Sequence, residues 1–183
     1  LTNLLNKFNL YPFDVSKSPI SGGSYVLYFS NIERNKTLKL INNELNEKKL
    51  EIEDFSSWLK FRSRVEKHRS DLKNILNEFK KQGKNIIAYG ASARSSTLLN
   101  YCQISTETIE LIIDQSNYKH GLFTAGTKIP IKSPEDGMQP SPDAILLLAW
   151  NFKEEIIEQL KSRWEWSGEL IIPLPGEPEI LKI

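Results

Sequence analysis

The stretch NIIAYGASARSSTLLNYCQ, residues 85–103, decides how the remainder of the chain is read. An apolar run ends at Gly90, small residues follow, and Leu98 and Leu99 then sit in a helical phrase. That order predicts a buried strand, a tight turn and a helix. A dinucleotide-binding turn of this kind carries three glycines, whereas this one carries Gly90 alone. Downstream the alternation continues. IELIID reads as a second strand, KIPIKSPEDG follows an irregular passage, and DAILLLAW is a strongly apolar strand. NFKEEIIEQLKSRW is an amphipathic helix with Ile156, Ile157 and Leu160 inward, and GELIIPLP closes the series. Strands that are apolar throughout and alternate with helices imply a parallel sheet covered on both faces. Right-handed crossovers then give an α/β fold, a Rossmann-like three-layer sandwich with a mostly parallel sheet, over residues 85–183.

Upstream of this domain the pattern changes. Residues 32–84 read as a helical connector. Within it Trp58, Phe61, Val65, His68, Leu72, Ile75, Leu76 and Phe79 recur at three- and four-residue steps, the stripe of a long amphipathic helix. Asp54 suits its start and Gly83 its end. Such a helix either lies on the sheet or forms a dimer seam, and His68 on the stripe's margin reads as a packed residue. Residues 1–31 form an appendage: a short helix with Leu1, Leu4, Leu5 and Phe8 on one face, then a strand pair around Ser21-Gly22-Gly23. A lone hairpin is marginal in water, so this piece is expected to complete a sheet whose remainder lies elsewhere. The chain opens on Leu1 inside a helical phrase, and reads as a fragment of a longer protein.

The 183 residues are 39% hydrophobic and 26% charged with a formal net charge of +1, which gives no global field to recruit nucleic acid or an acidic membrane. No apolar run approaches the roughly 20 residues a bilayer requires. Cys102 is the one cysteine in the sequence, which excludes an internal disulfide and a cysteine-based zinc site, and points to a reduced cytoplasmic setting. His68 and His120 show no metal-ligand spacing. No nucleophile elbow, P-loop or paired-carboxylate signature is present, so no catalytic residue is assigned.

Ligands of open parallel sheets bind at the carboxyl ends of the strands. Three such ends carry suggestive chemistry. At the first, Tyr89, Gly90, Ala91, Ser92, Arg94 and Ser95 combine a sharp turn, small side chains, a helix N-terminus and a full positive charge, a combination that favours phosphate. The plainer reading is that Ser92 caps the helix and Arg94 is solvated. At the second, Asp114 follows Gly90 at close to the roughly 20-residue spacing at which an acid meets a ribose in dinucleotide folds, or else caps the next turn. At the third, Trp150 offers a stacking face and Asn151 a donor and an acceptor, unless Trp150 packs the sheet edge. Between these ends, Lys119, His120 and Lys128 lie in SNYKHGLFTAGTKIPI, either a loop over a ligand or an ordinary connection. The residues describe a phosphate- or nucleotide-binding module. A stand-alone NAD(P)- or CoA-type module and a structural or dimerising domain remain the alternatives.

Three phrases in order, AYGASARSSTLLNYCQI, IIDQSNYKHGLFTAGTKIPI and AILLLAWNFKEEI, together with SGGSYVLYF, resemble the C-terminal part of S-adenosylmethionine-dependent sugar C-methyltransferases, which act on nucleotide-diphosphate sugars in deoxysugar pathways. The resemblance covers nearly the whole chain. It implies a zinc-binding module and a cofactor-binding methyltransferase domain upstream, with no cofactor held in this fragment. It also implies a nucleotide-diphosphate sugar facing Gly90, Ala91, Ser92, Arg94 and Ser95. One glycine then suffices, because no dinucleotide lies along the turn. Residues 1–31 become the tail of the preceding domain, which is the expected partner besides the nucleotide-sugar and a possible second copy. Three departures stand out: Ser21 where the family places a histidine close to the sugar chemistry, Arg94 in place of the turn's lysine, and Lys128 in place of a histidine. Serine cannot act as an imidazole base near pH 7.

Overall fold

The structure is a computed structural model, and it describes residues 1–20 and 23–183. The chain divides into two compact units, Leu1–Ser63 and Arg64–Ile183.

The first unit holds helix α1 (Thr2–Asn6), strands β1 (Tyr11–Ser18) and β2 (Ser24–Ser30), helix α2 (Leu38–Lys49) and the start of helix α3 (Phe55–Lys81). The expected hairpin forms: β1 and β2 pair antiparallel from Tyr11↔Ser30 to Ser18↔Ser24. Ser21 and Gly22 lie outside the described residues. Among the described residues these two strands make a sheet of their own. Its small core is Val15 with Leu40 of α2. Thr37 joins hairpin to helix, since its hydroxyl donates to Asp14 Oδ1 at 2.6 Å, its amide donates to Phe13 O, and it caps α2. The Thr37 hydroxyl, with the Val15 amide, holds the Asp14 carboxyl below its ordinary range. Strand β2 buries little, leaving Tyr25, Val26, Tyr28 and Phe29 exposed.

The second unit is built from β3 (Ile86–Tyr89), α4 (Ala93–Cys102), β4 (Ile112–Ile113), β5 (Ile131–Lys132), α5 (Pro134–Gly137), β6 (Ala144–Leu147), α6 (Lys153–Ser162), β7 (Glu169–Ile172) and β8 (Glu179–Lys182). The sheet order is β5-β4-β3-β6-β7-β8, parallel throughout except for β8, which runs antiparallel to β7. Strand alternation assigns the two faces. Ile86 and Ala88 join Leu72, Leu76 and Phe79 of α3 and Leu98, Leu99 and Cys102 of α4 on one side. Ile87 and Tyr89 join Ile156 and Leu160 of α6 with Trp166 on the other. This is the Rossmann-like three-layer sandwich expected from the alternation.

The stripe of α3 behaves differently along its length. Leu72, Leu76 and Phe79 are buried, whereas Trp58 and Phe61 are 57% and 49% exposed. Each of the three buried side chains is worth about 1.5–3 kcal/mol of apolar burial. Gly83 ends the helix as anticipated. Its φ is +74°, and the Lys84 amide reaches back to Phe79 O, the hydrogen bond of a glycine C-terminal cap. Asp54 accepts from the Ser56 amide and hydroxyl at the helix start.

Candidate functional site

Chain order reverses between the adjacent strands β3 and β6, so the crevice of this sheet opens where Gly90 follows β3 and Ala149 follows β6. Gly90 is needed there for two reasons. Its φ of +98° disfavours any side chain, and an added Cβ would lie 2.6 Å from the Ala149 Cβ. The vacant Cβ position is thus taken up by the neighbouring strand end.

The turn after Gly90 closes on itself. Ser92 caps α4, its hydroxyl accepting the Ser95 amide while the Ser95 hydroxyl accepts the Ser92 amide, a capping box. The buried Ser95 hydroxyl donates to Gly90 O at 2.8 Å. The Ala91 amide donates to Asp114 Oδ2 at 2.7 Å and the Gly90 amide to Ile113 O. The N–H groups of Gly90, Ala91, Ser92 and Ser95 thus all donate within the protein. Asp114, 8% exposed, also accepts from the Ser116 amide and from Lys119 Nζ at 3.0 Å. Its carboxylate therefore fastens the end of β4 to the turn after β3.

Beside the turn lie two further side chains, the exposed Arg94 and the half-buried Trp150, which also packs against the core on both faces of the sheet. The Arg94 guanidinium lies over the Trp150 indole, 5.8 Å from the ring centre. This joins two of the three strand ends in a cation–π contact. Trp150, Asn151 and Phe152 form a short 3-10 turn leading into α6, with Trp150 and Asn151 half-buried. Tyr89 points the other way. It is buried on the α6 side, where Gln115 Nε2 donates to its hydroxyl at 2.6 Å and the hydroxyl donates to Gln159 Oε1 at 3.0 Å. Burial pushes the Tyr89 phenol above its ordinary value, against the pull of the Gln115 hydrogen bond.

The segment after Asp114 folds over the outer edge of the sheet. His120 Nε2 donates to Asp114 O at 2.7 Å. Gly121 and Leu122 bond to Ile131, Phe123 bridges Pro130, and Asn100 of α4 donates to Ala125 O at the tip. Lys128 takes a left-handed φ of +54° in this turn. The structure thus brings Ser92, Arg94, Trp150 and Asn151 to the rim of the crevice, keeps Tyr89 and Gly90 inside, and ties Lys119 to Asp114. The Ser21 departure falls outside the described residues. Sequence reasoning missed Ala149, Gln115 and Gln159. Period-two alternation in NIIAYG was a signal for the last two, since it places Tyr89 beside Ile87 on the α6 face. Among the described residues no group of three His, Cys, Asp or Glu side chains could hold a metal ion. Among them, too, no helix is long and apolar enough to cross a membrane.

Residues 19–175 match the family described as the C-methyltransferase C-terminal domain. The chain is 30% identical over 183 residues to C-methyltransferase NovU of Streptomyces niveus, an alignment taking in 99% of this chain and 43% of that protein. It therefore spans less than half the length of this relative. Among solved structures, UDP-D-quinovosamine 4-dehydrogenase from Vibrio fischeri aligns at 21% identity with a TM-score of 0.38, over 55% of this chain and 93% of that one.

Proposed function

Because the chain belongs to the C-methyltransferase C-terminal domain family, we propose that it holds the nucleotide-diphosphate sugar on which an S-adenosylmethionine-dependent C-methyltransferase acts. The observation that carries this reading is the Arg94–Trp150 pair at the crevice where strand order reverses. Arg94 supplies a permanent charge in a planar fork suited to phosphate oxygens, and the α4 N-terminus adds a partial charge of the same sign. Trp150 supplies a flat apolar face and Asn151 a donor and an acceptor for hydroxyls. The diphosphate is met chiefly by side chains, since the amides of Gly90, Ala91, Ser92 and Ser95 already have partners within the protein. The same bonding disfavours a dinucleotide: Asp114 has three donors of its own, and the space beside Gly90 is taken by Ala149.

The methyl donor and the zinc belong to an upstream methyltransferase part, and the exposed aromatic strand β2 is the surface that meets it. This chain's contribution to methyl transfer is binding and orientation of the sugar. Titration calorimetry with UDP and dTDP tests the reading. Binding is expected, weakened about tenfold or more by Arg94→Ala, as befits loss of a charge-assisted contact, with NADH showing no comparable heat. Equal affinity of the Arg94→Ala variant, or tighter binding of NADH, refutes it.

A further inference from the structure

Strand β3 and its glycine turn lie between β4 and β6, and a cation stands on each side. Arg94 lies over Trp150 on the β6 side. On the β4 side is Lys119, from the short 3-10 turn Asn117–Lys119 that follows the carboxyl end of that strand. Its Nζ lies 3.0 Å from Asp114 Oδ2, the same oxygen that accepts the Ala91 amide at 2.7 Å. Ammonium and turn amide therefore meet at one carboxylate atom, which puts Lys119 at the crevice itself. The backbone behind it is fixed: the Lys119 amide donates to Ser116 O, the Leu122 amide donates to Lys119 O, and the His120 ring donates to Asp114 O. The side chain itself is half-buried, so the ammonium keeps access to solvent. Asp114 does not depend on this ion pair for its position, because Oδ1 accepts the Ser116 amide and Oδ2 the Ala91 amide. An ammonium carries three donors, and the bond to Asp114 uses one.

We infer that Lys119 is the second cation of the diphosphate site and makes that site select a diphosphate over a monophosphate. The inference rests on the nucleotide-sugar reading and adds a specificity-determining residue to it. Charge shows why a second cation is needed. Arg94 and Asp114 alone sum to zero beside the turn, and the Asp114 carboxylate repels an incoming phosphate. Lys119 cancels that repulsion and leaves the charge of Arg94 for the ligand. Neighbouring strands lie about 4.8 Å apart, so the two steps from β4 to β6 span about 10 Å. A diphosphate bridges strand ends so spaced with one charge-assisted bond of about 2.8 Å at each end, one phosphate to Lys119 and the other to Arg94. A monophosphate engages one cation at a time. The bond to Asp114 need not break, since a second N–H of the ammonium serves the phosphate, and the carboxylate keeps both amides.

Titration calorimetry of the 183-residue chain with UDP, UMP and inorganic pyrophosphate tests this, using Lys119→Met, Lys119→Ala and Arg94→Ala. Methionine keeps an apolar stem and removes the charge. Both Lys119 variants are expected to weaken UDP and pyrophosphate about tenfold, the loss of one charge-assisted hydrogen bond, while UMP changes less than about threefold. The UMP arm separates this role from a structural one, since a disturbed turn would weaken all three ligands alike. If Arg94→Ala weakens UDP while Lys119→Met does not, the Lys119 assignment is overturned and the diphosphate reading stands. If Lys119→Met weakens UMP as much as UDP, the assignment is likewise overturned. If no nucleoside diphosphate binds, or UDP is indifferent to all three substitutions, both fall.

Discussion

Replacing Gly90 by alanine separates a glycine kept for packing from one kept for a ligand. Two costs add in the folded state. Holding a non-glycine residue at φ +98° costs about 1–3 kcal/mol. Forcing a methyl group to 2.6 Å from the Ala149 Cβ, between a buried and a half-buried strand end, costs about 1–3 kcal/mol more. Gly90→Ala should therefore destabilise the protein by about 4 kcal/mol, a large share of the roughly 5–15 kcal/mol that holds a domain together. For a chain of this length that corresponds to a fall of about 8–16 °C in Tm. Urea unfolding followed by tryptophan fluorescence suits the measurement, because Trp150, Trp164 and Trp166 all lie in the second unit. The partner substitution Ala149→Gly, costing about 1 kcal/mol by itself, removes the overlap but leaves the φ strain. In the Gly90→Ala background it should restore about 1–3 kcal/mol, measured as a double-mutant cycle. A Gly90→Ala variant within about 0.5 kcal/mol of the parent, or no recovery from Ala149→Gly, refutes the packing argument. A variant that keeps its stability and loses nucleotide binding would return the glycine to the ligand.

The two halves of α3 should respond differently to truncation. Leu76→Ala, at a 1% exposed position, should cost about 2–5 kcal/mol in urea unfolding, while Trp58→Ala at the exposed end should stay under about 1 kcal/mol. At alkaline pH two buried acids act in the same direction: burial raises the Cys102 thiol and the Tyr89 phenol above their ordinary values of 9.0 and 10.0. The folded state then holds a proton that the unfolded chain has released, so stability is complete below about pH 9 and declines as pH rises through the folded values. Cys102→Ala should remove the earlier part of that slope and Tyr89→Phe the later part; a slope unchanged in both variants contradicts the assignment.

Much of the second unit could be read from local pattern, because its strands are apolar on both sides and its helices are one-faced. Ile86–Tyr89 and Ala144–Leu147 are such runs, and the helices after them start where Ser92 and Phe152 break the periodicity. Strand β8 escaped because EILK is short, charged and preceded by prolines and a glycine, and its pairing with Glu169–Ile172 is set by tertiary contact alone. β4 is shorter than the IELIID phrase, covering Ile112–Ile113, although backbone hydrogen bonds to β3 and β5 run from Glu110 to Asp114. At the site, the residue types were legible and their partners were not. Ser92 capping α4 follows from its place before a helix, whereas the Ala91–Asp114 bond depends on how two strand ends align. The Arg94–Trp150 contact joins residues that no periodicity relates.

The margins of the two sheets have opposite character. In the second unit, the segment 121–124 lies bonded along the outer side of β5, and the other border is the four-residue β8 with Glu179 and Lys182. Neither offers a long apolar ladder to a neighbour, which guards against amyloid-like self-association. The hairpin of the first unit has no such protection: SYVLYFS is seven residues long, uncharged, and rich in aromatic and β-branched side chains. Left exposed, β2 presents a ready template for cross-β stacking, so self-association is expected to begin at this strand and not in the second unit.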